Sequence, residues 1–444
     1  MKKLFKVLFV AILAIAVAAP AMADVSLNGY FRTQMQADNV DGRATKDAQS
    51  SAAVDQRIRM KVTNQLNDDV KVVYYGEVDT VWGKASKAGS VTLDETVAGI
   101  DFNNDGDTLD TAVSGADAGI GVNAVGGGGK VGADGVNVET KNAYVQFNVP
   151  NTPLSASVGV QGFGLGYEGI VIAQDAAGVK ANMAVSDTVG LGFMYAKFDE
   201  GSFSAADDED FYAAQAKFKL AEGAKLAAHL MFMNLNGSDE DVTGAGVRYD
   251  GMFGDVGFNA WGVYHDVEDI TPGGGNTTGF GASAQAVFGP GAVRLTYFTG
   301  DDGGPGPDSD EFVYDIGNGA FGFYKENLQI MFYDIYYNNL GSTGVALENS
   351  AGLIAINGKY DMMMGDMYLK LGAGYFMTAE DVNVGGGATD DVLGAEISAR
   401  LGKKIAEKVD VSLNCAYAMV GDALTASTVN DDVWKANFMI NVPF

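Results

Sequence analysis

Apolar or small residues recur at every second position through most of the chain. Val25, Leu27, Gly29, Phe31 and Met35 alternate with Ser26, Asn28, Tyr30, Arg32 and Gln34. Ile58, Met60 and Val62 alternate with Arg57, Arg59, Lys61 and Thr63, and Val145, Phe147 and Val149 with Tyr144, Gln146 and Asn148. The same beat runs through Phe280, Ala282, Ala284, Ala286 and Phe288, and again through Leu393, Ala395, Ile397, Ala399 and Leu401. Successive side chains of a strand point to opposite faces, so period two predicts strands with one apolar and one polar face. Runs of about ten such residues, repeated from end to end, are the pattern of a barrel with lipid outside and water inside. Only a closed sheet pairs all its backbone groups within hydrocarbon. The predicted fold is all-β, an antiparallel up-and-down transmembrane β-barrel.

A soluble sandwich also alternates, but its strands usually run about five or six residues with similar loops at both ends. Here the connections are lopsided. The short ones are Asn67–Asp69, Pro150–Pro153, Ser186–Thr188, Ala221–Ala224, Met252–Asp255, Gly289–Gly291, Met363–Asp366 and Lys403–Glu407. Between them lie long, acidic, glycine-rich ones at 38–53, 83–137, 162–176, 200–209, 235–241, 266–276, 301–349, 379–390 and 421–431. Short turns on one side and long loops on the other again fit a membrane barrel. Eight short turns, with both termini on their side, give about 18 strands. The stretch "ENLQIMFYDIYYNN" (326–339) also alternates, and reading it as a strand would raise the count to 20. It is kept inside a structured outer loop; a misread hairpin elsewhere would lower the count to 16.

The front end sets the compartment. Lys2, Lys3 and Lys6, the apolar Leu4–Ala19 and the small-residue site Ala21-Met22-Ala23 read as a secretory signal peptide, residues 1–23. That leaves 24–444 as a single barrel domain, with strands expected at both of its ends. Of 29 basic residues, three leave with the signal, so 26 face 57 acids and the net charge deepens from −28 to −31. The single cysteine, Cys415, allows no internal disulfide framework, and no CxxCH haem site exists. After residue 23 no stretch approaches the roughly 20 apolar residues of a membrane helix.

Strand parity sorts charge between wall and loops. The inward set contains Arg32, Arg57, Arg59, Lys61, Lys71, Lys217, Arg248, Arg294, Lys359, Lys370 and Arg400, against the acids Glu77, Asp79, Glu396 and Asp410. Most other acids fall in loops and turns, so a basic lumen behind an acidic rim is expected. Arg57, Arg59 and Lys61 stand at strict i, i+2 spacing and form the leading candidate for a basic ladder lining the lumen, with Arg32, Arg248, Arg294 and Arg400 beside them. Trp82, Trp261 and Trp434 fit an aromatic girdle.

The chain closes on "KANFMINVPF", which puts Phe438, Ile440, Val442 and Phe444 on one face. A terminal Phe after alternating apolar residues resembles the assembly signal that the barrel insertion machinery of Gram-negative bacteria reads. With "KNAYVQFNVP" (141–150) and "SVGVQGFGLGYEG" (157–169), a strand–turn–strand–glycine-loop pattern, the chain resembles the bacterial porins over its whole mature length. That resemblance implies an outer-membrane location, contact with lipid and lipopolysaccharide, and a homotrimer. It also implies that the third outer loop folds into the lumen. The corresponding loop is 162–176, whose acids Glu168 and Asp175 would face the basic wall across a constriction. Rings of charge in a narrow wet gap bias ion selectivity.

Three further patterns bear on chemistry. "DFNNDGDTLD" sets Asp101, Asn103, Asp105, Asp107 and Asp110 at calcium-loop spacing, although Ala112 stands where a bidentate Glu is expected. An outer-loop calcium is the one cofactor weighed, and none is required. "VGGGGKVG" (125–132) lacks the GK[ST] ending of a phosphate loop. His229 and His265, the only histidines, fall on separate strands with no nucleophile pattern, so no enzyme activity and no nucleic-acid partner are expected. The leading function is passive diffusion of small hydrophilic solutes and ions. The alternatives are a substrate-selective channel for organic acids, anions or sugars, and a structural or adhesive barrel with a plugged lumen.

Overall fold

A computed structural model describes residues 24–39, 51–82, 138–199, 208–235, 240–269, 275–301, 308–312, 327–331, 351–385, 388–425 and 432–444. The signal segment and the calcium-like residues Asp101, Asn103, Asp105, Asp107 and Asp110 lie outside them.

Eighteen strands run in chain order. The first six are β1 (Asp24–Asp38), β2 (Ser51–Asn67), β3 (Val70–Val81), β4 (Glu139–Asn148), β5 (Leu154–Gly164) and β6 (Ala173–Ala184). Next come β7 (Val189–Asp199), β8 (Glu209–Ala221), β9 (Ala224–Leu235), β10 (Glu240–Phe253), β11 (Val256–Asp269) and β12 (Asn276–Phe288). The last are β13 (Gly291–Phe298), β14 (Leu353–Met364), β15 (Met367–Gly385), β16 (Ala388–Ala406), β17 (Val409–Val420) and β18 (Val433–Pro443). A short helix, α1 (Asp422–Thr425), precedes β18. Each strand pairs antiparallel with its neighbour, and β1 pairs with β18 from Tyr30↔Pro443 to Asp38↔Lys435, which closes the sheet. Seven of the eight short turns fall where the sequence puts them; the eighth, expected at Lys403–Glu407, lies at Glu407–Lys408 because β16 runs on to Ala406.

Residues 379–390, expected as a loop, are largely strand: β15 runs to Gly385 and β16 starts at Ala388. Irregular register after Phe376 absorbs the poor alternation there, which is why periodicity did not reveal the pairing.

The two faces invert the usual soluble pattern. Leu27, Leu230 and Ile397 are 55%, 64% and 60% exposed, while Gln34, Asn357 and Asn437 are at most 1% exposed. Large apolar side chains exposed over a whole belt mark a surface made for a non-aqueous contact, here lipid. Within hydrocarbon a closed ladder leaves no backbone edge unpaired. The C-terminal residue completes that closure, since Phe444 N donates to Gly29 O at 3.0 Å and Gly29 N to Phe444 O at 2.9 Å. Phe438 and Phe444 are 39% and 41% exposed on the outer face, as the alternation requires.

Trp261 departs from the girdle expectation. It lies on the inner parity of β11, is buried, and packs inside the barrel. Its position within β11 carried no sequence signal that separated inward from outward.

Candidate functional site

A barrel of 18 strands is wide enough to hold water unless something fills it. On one side something does. Past β5 the chain turns inward, and Leu165, Tyr167, Ile170, Val171 and Ile172 are all buried. The glycines of "GFGLGYEG" make the turn: Gly166 and Gly169 have φ of 82° and 79°, which side chains with a Cβ rarely adopt. Glu168 between them also has a positive φ, 59°. A non-glycine residue held there by its surroundings is a strained position, and such positions cluster at functional sites.

Four wall contacts hold this loop. Arg294 Nη1 on β13 donates to Glu168 Oε2 at 2.8 Å and to Ser283 Oγ on β12 at 2.8 Å. Arg248 Nη1 on β10 donates to the Gly166 carbonyl at 2.5 Å while its Nε and Nη2 grip Asp250 at 2.8 Å each. The Tyr167 hydroxyl and His229 Nδ1 on β9 share a hydrogen bond of 2.7 Å, and the Tyr167 ring lies 5.8 Å from that of Trp261. Gly246 on β10 leaves the room for that ring, since a Cβ there would stand 2.7 Å from Tyr167 Cζ. Beneath the loop, Phe163, Ala196, Phe211, Met231, Met233 and Val242 continue one apolar mass.

Of the residues expected around the lumen, Glu168 meets Arg294, and Arg248 meets the loop at Gly166. Asp175, expected to face the lumen beside Glu168, does not join them. β6 already begins at Ala173, so Asp175 stands in the strand, paired in register with Gly162 on the outward parity. There it meets Lys141 on β4 at 2.8 Å instead of facing the lumen. The loop is shorter than the glycine spacing suggested because β5 and β6 extend into it.

Opposite lies the arginine ladder. Arg57 and Arg59 on β2 face Asp79 and Glu77 on β3 in register. Arg57 Nε donates to Asp79 Oδ1 at 2.6 Å and also sits 3.4 Å from Glu77, while Arg59 Nε donates to Glu77. Arg32 on β1 sits 3.9 Å from Asp55, which also accepts from Gln34 at 2.7 Å. Farther round, Arg400 on β16 approaches Asp410 at 3.4 Å, and Tyr368 donates to the same oxygen at 2.7 Å. Every arginine of the predicted set thus sits beside an acid. Asp55 and Asp250, absent from the predicted inward acids, are the partners that strand parity alone could have supplied.

The lysines differ. Lys61, Lys217, Lys225, Lys359 and Lys370 face inward, and none has a salt bridge among the described residues. Lys217, Lys219, Lys225 and Arg248 line a cavity of about 600 Å³ beside Gly164–Gly166, together with Asp187 and Asp250. The inward cations without a salt bridge among the described residues include these lysines, and Lys217 and Lys225 lie next to the loop.

A second segment also enters the lumen. Residues 327–331, from the stretch that sequence kept in an outer loop, are neither strand nor surface. Leu328, Ile330 and Met331 are at most 3% exposed, packed inside β14–β16. Among the described residues no helix is long and apolar enough to cross a membrane.

No family model matches the chain, nor does any curated protein sequence. Solved structures do. OccAB1 of Acinetobacter baumannii superposes with a TM-score of 0.55 at 12% identity, covering 95% of this chain and 96% of that one. OccK2 (OpdF) of Pseudomonas aeruginosa, in complex with glucuronate, gives 0.54 at 13%, with 95% and 98% covered. OpdK of Pseudomonas aeruginosa, solved with vanillate, gives 0.51 at 12%, again with 95% and 98% covered. The fold is that of these Gram-negative outer-membrane barrels.

Proposed function

We propose that the chain is an outer-membrane channel through which small hydrophilic solutes and ions diffuse, narrowed by the β5–β6 loop. The observation that carries this reading is the loop itself: folded inward, fixed at Arg248, Arg294 and His229, and facing a charged wall. A structural plug would gain nothing from a polar, ionic lining opposite it. The uncompensated lysines favour anions over cations, although the paired arginines keep that preference mild. Single-channel recording in a planar bilayer tests the proposal. A steady ohmic conductance supports it, and a closed barrel in which no current flows sinks it.

A second reading, substrate-selective passage, is favoured by one specific feature. The basic cavity beside the loop, lined by Lys217, Lys219, Lys225 and Arg248, suits a small carboxylate. Vanillate and glucuronate, the molecules held in two barrels of this fold, are both carboxylates. Current blocked by a carboxylate at low concentration, but not by an uncharged analogue, separates this reading from general diffusion.

A further inference from the structure

Glu396 stands on the inner face of β16 and is 1% exposed. One carboxylate oxygen accepts from Gln329 N at 2.6 Å; the other accepts from Ile330 N at 3.1 Å and Met331 N at 2.8 Å. Three consecutive amides converging on one anion form a nest of the kind that elsewhere binds phosphate or carboxylate. Here the anion is a wall side chain 65 to 67 residues farther along the chain.

Further hydrogen bonds flank the nest. Ser398 Oγ, also on β16, donates to the Asn327 carbonyl at 2.7 Å. Asn327 Nδ2 donates to Asp361 Oδ1 on β14 at 3.0 Å and to the Leu371 carbonyl on β15 at 3.1 Å. With φ at 64°, Asn327 supplies the reversal that aims the next amides at the wall. Hydrogen bonds to a charged acceptor are roughly twice as strong as neutral ones, and Glu396 accepts three of them against one at Asp361, so Glu396 dominates the set. Removing it would also orphan three buried N–H groups at once.

We infer that Glu396 is the positioning residue of a second inward jaw. Its carboxylate holds the Gln329–Met331 backbone in the lumen against β14–β16 and thereby sets the free cross-section on that side. The second half of the claim rests on the channel reading; the anchoring half does not.

The test uses the full chain folded in lipid vesicles, with Cys415→Ser and Met331→Cys, and a water-soluble maleimide as probe. With Glu396 present the new thiol is protected. Glu396→Ala is expected to speed labelling about tenfold or more, as loss of the charged acceptor requires. Acetate, but not acetamide, restores protection by refilling the nest, and Glu396→Gln falls between. Heat-modifiable gel migration checks that each barrel is closed. Unchanged labelling in Glu396→Ala, or equal rescue by acetamide, overturns the inference. Conductance of the same variants separates the two claims. Current that persists with unchanged labelling sinks the anchor and spares the channel. Labelling that responds in a barrel which never conducts sinks the channel and the claim about cross-section.

Discussion

Glu168 and Arg294 are 126 residues apart in sequence and 2.8 Å apart in space, with side chains only 3% and 1% exposed. One is on the loop after β5 and the other on β13, so a single buried ion pair ties the loop across to a distant part of the wall. Breaking such a pair from one side leaves the other charge buried, at a cost of about 3–5 kcal/mol. Glu168→Ala is therefore expected to release the loop tip, raising single-channel conductance and current noise. Replacing both partners with apolar residues, as in Glu168→Leu with Arg294→Met, is expected to recover much of the lost order. Equal conductance in the parent and the single variant would count against a constriction at this pair.

The seat of Tyr167 gives a second prediction. Tyr167→Phe removes one hydrogen bond to His229, a loss of about 1 kcal/mol, and the ring keeps its place beside Trp261. Gly246→Ala acts on the ring itself, because the added methyl would stand 2.7 Å from Tyr167 Cζ, with the Gly262 carbonyl 2.8 Å away as a second obstacle. The smaller substitution is thus expected to disturb conductance more than the loss of the hydroxyl. Paired bilayer recordings decide the order.

Charge pairing on the opposite wall predicts a compensation. Arg57→Gln leaves Asp79 and Glu77 short of a partner and should move the reversal potential toward cation preference. Adding Asp79→Asn should move it back. The shift should shrink as salt rises, because screening shortens from about 10 Å at 0.1 M to about 3 Å at 1 M. Lys61→Gln, which takes an ion-pair partner from no acid among the described residues, should give a shift that Asp79→Asn does not cancel.

The carboxyl end offers a fourth. Phe444→Ala keeps the backbone bonds to Gly29 and removes the ring that packs over it; the Gly29 Cβ position is 2.9 Å from the Phe444 ring. Deleting Phe444 removes both. If the ring is the recognised part of an assembly signal, membrane yield should fall in both variants. Refolding into detergent without any cellular machinery should suffer mainly in the deletion. Equal yields for parent and Phe444→Ala would limit the residue to closing the sheet.

The strand plan was legible because a barrel wall obeys a local rule. One residue out and one in, a turn, then the rule again: "KVTNQLNDDVKV" carries a turn and both flanking strands in twelve residues. The same rule put Arg57, Arg59 and Lys61 on the inner face correctly. It failed where alternation is broken or where both faces are apolar. The irregular end of β15 looked like loop, and inward Trp261 looked like girdle. Asp175 looked like loop because the glycines before it read as a long break, whereas β6 had already begun.

While the count of eighteen came from the observed pairing, the sequence by itself determined the antiparallel up-and-down barrel and the inward or outward face of most of its strand residues. Those follow from period-two burial, which neighbouring residues encode without reference to anything distant. Only the tertiary structure decided what occupies the interior. Glu168 finds Arg294 across the interior, and Glu396 finds Met331 where the chain before β14 folds back over β14–β16. Curling the sheet brings the inner faces of strands far apart in the chain around one space, and no local pattern records which side chains then meet across it.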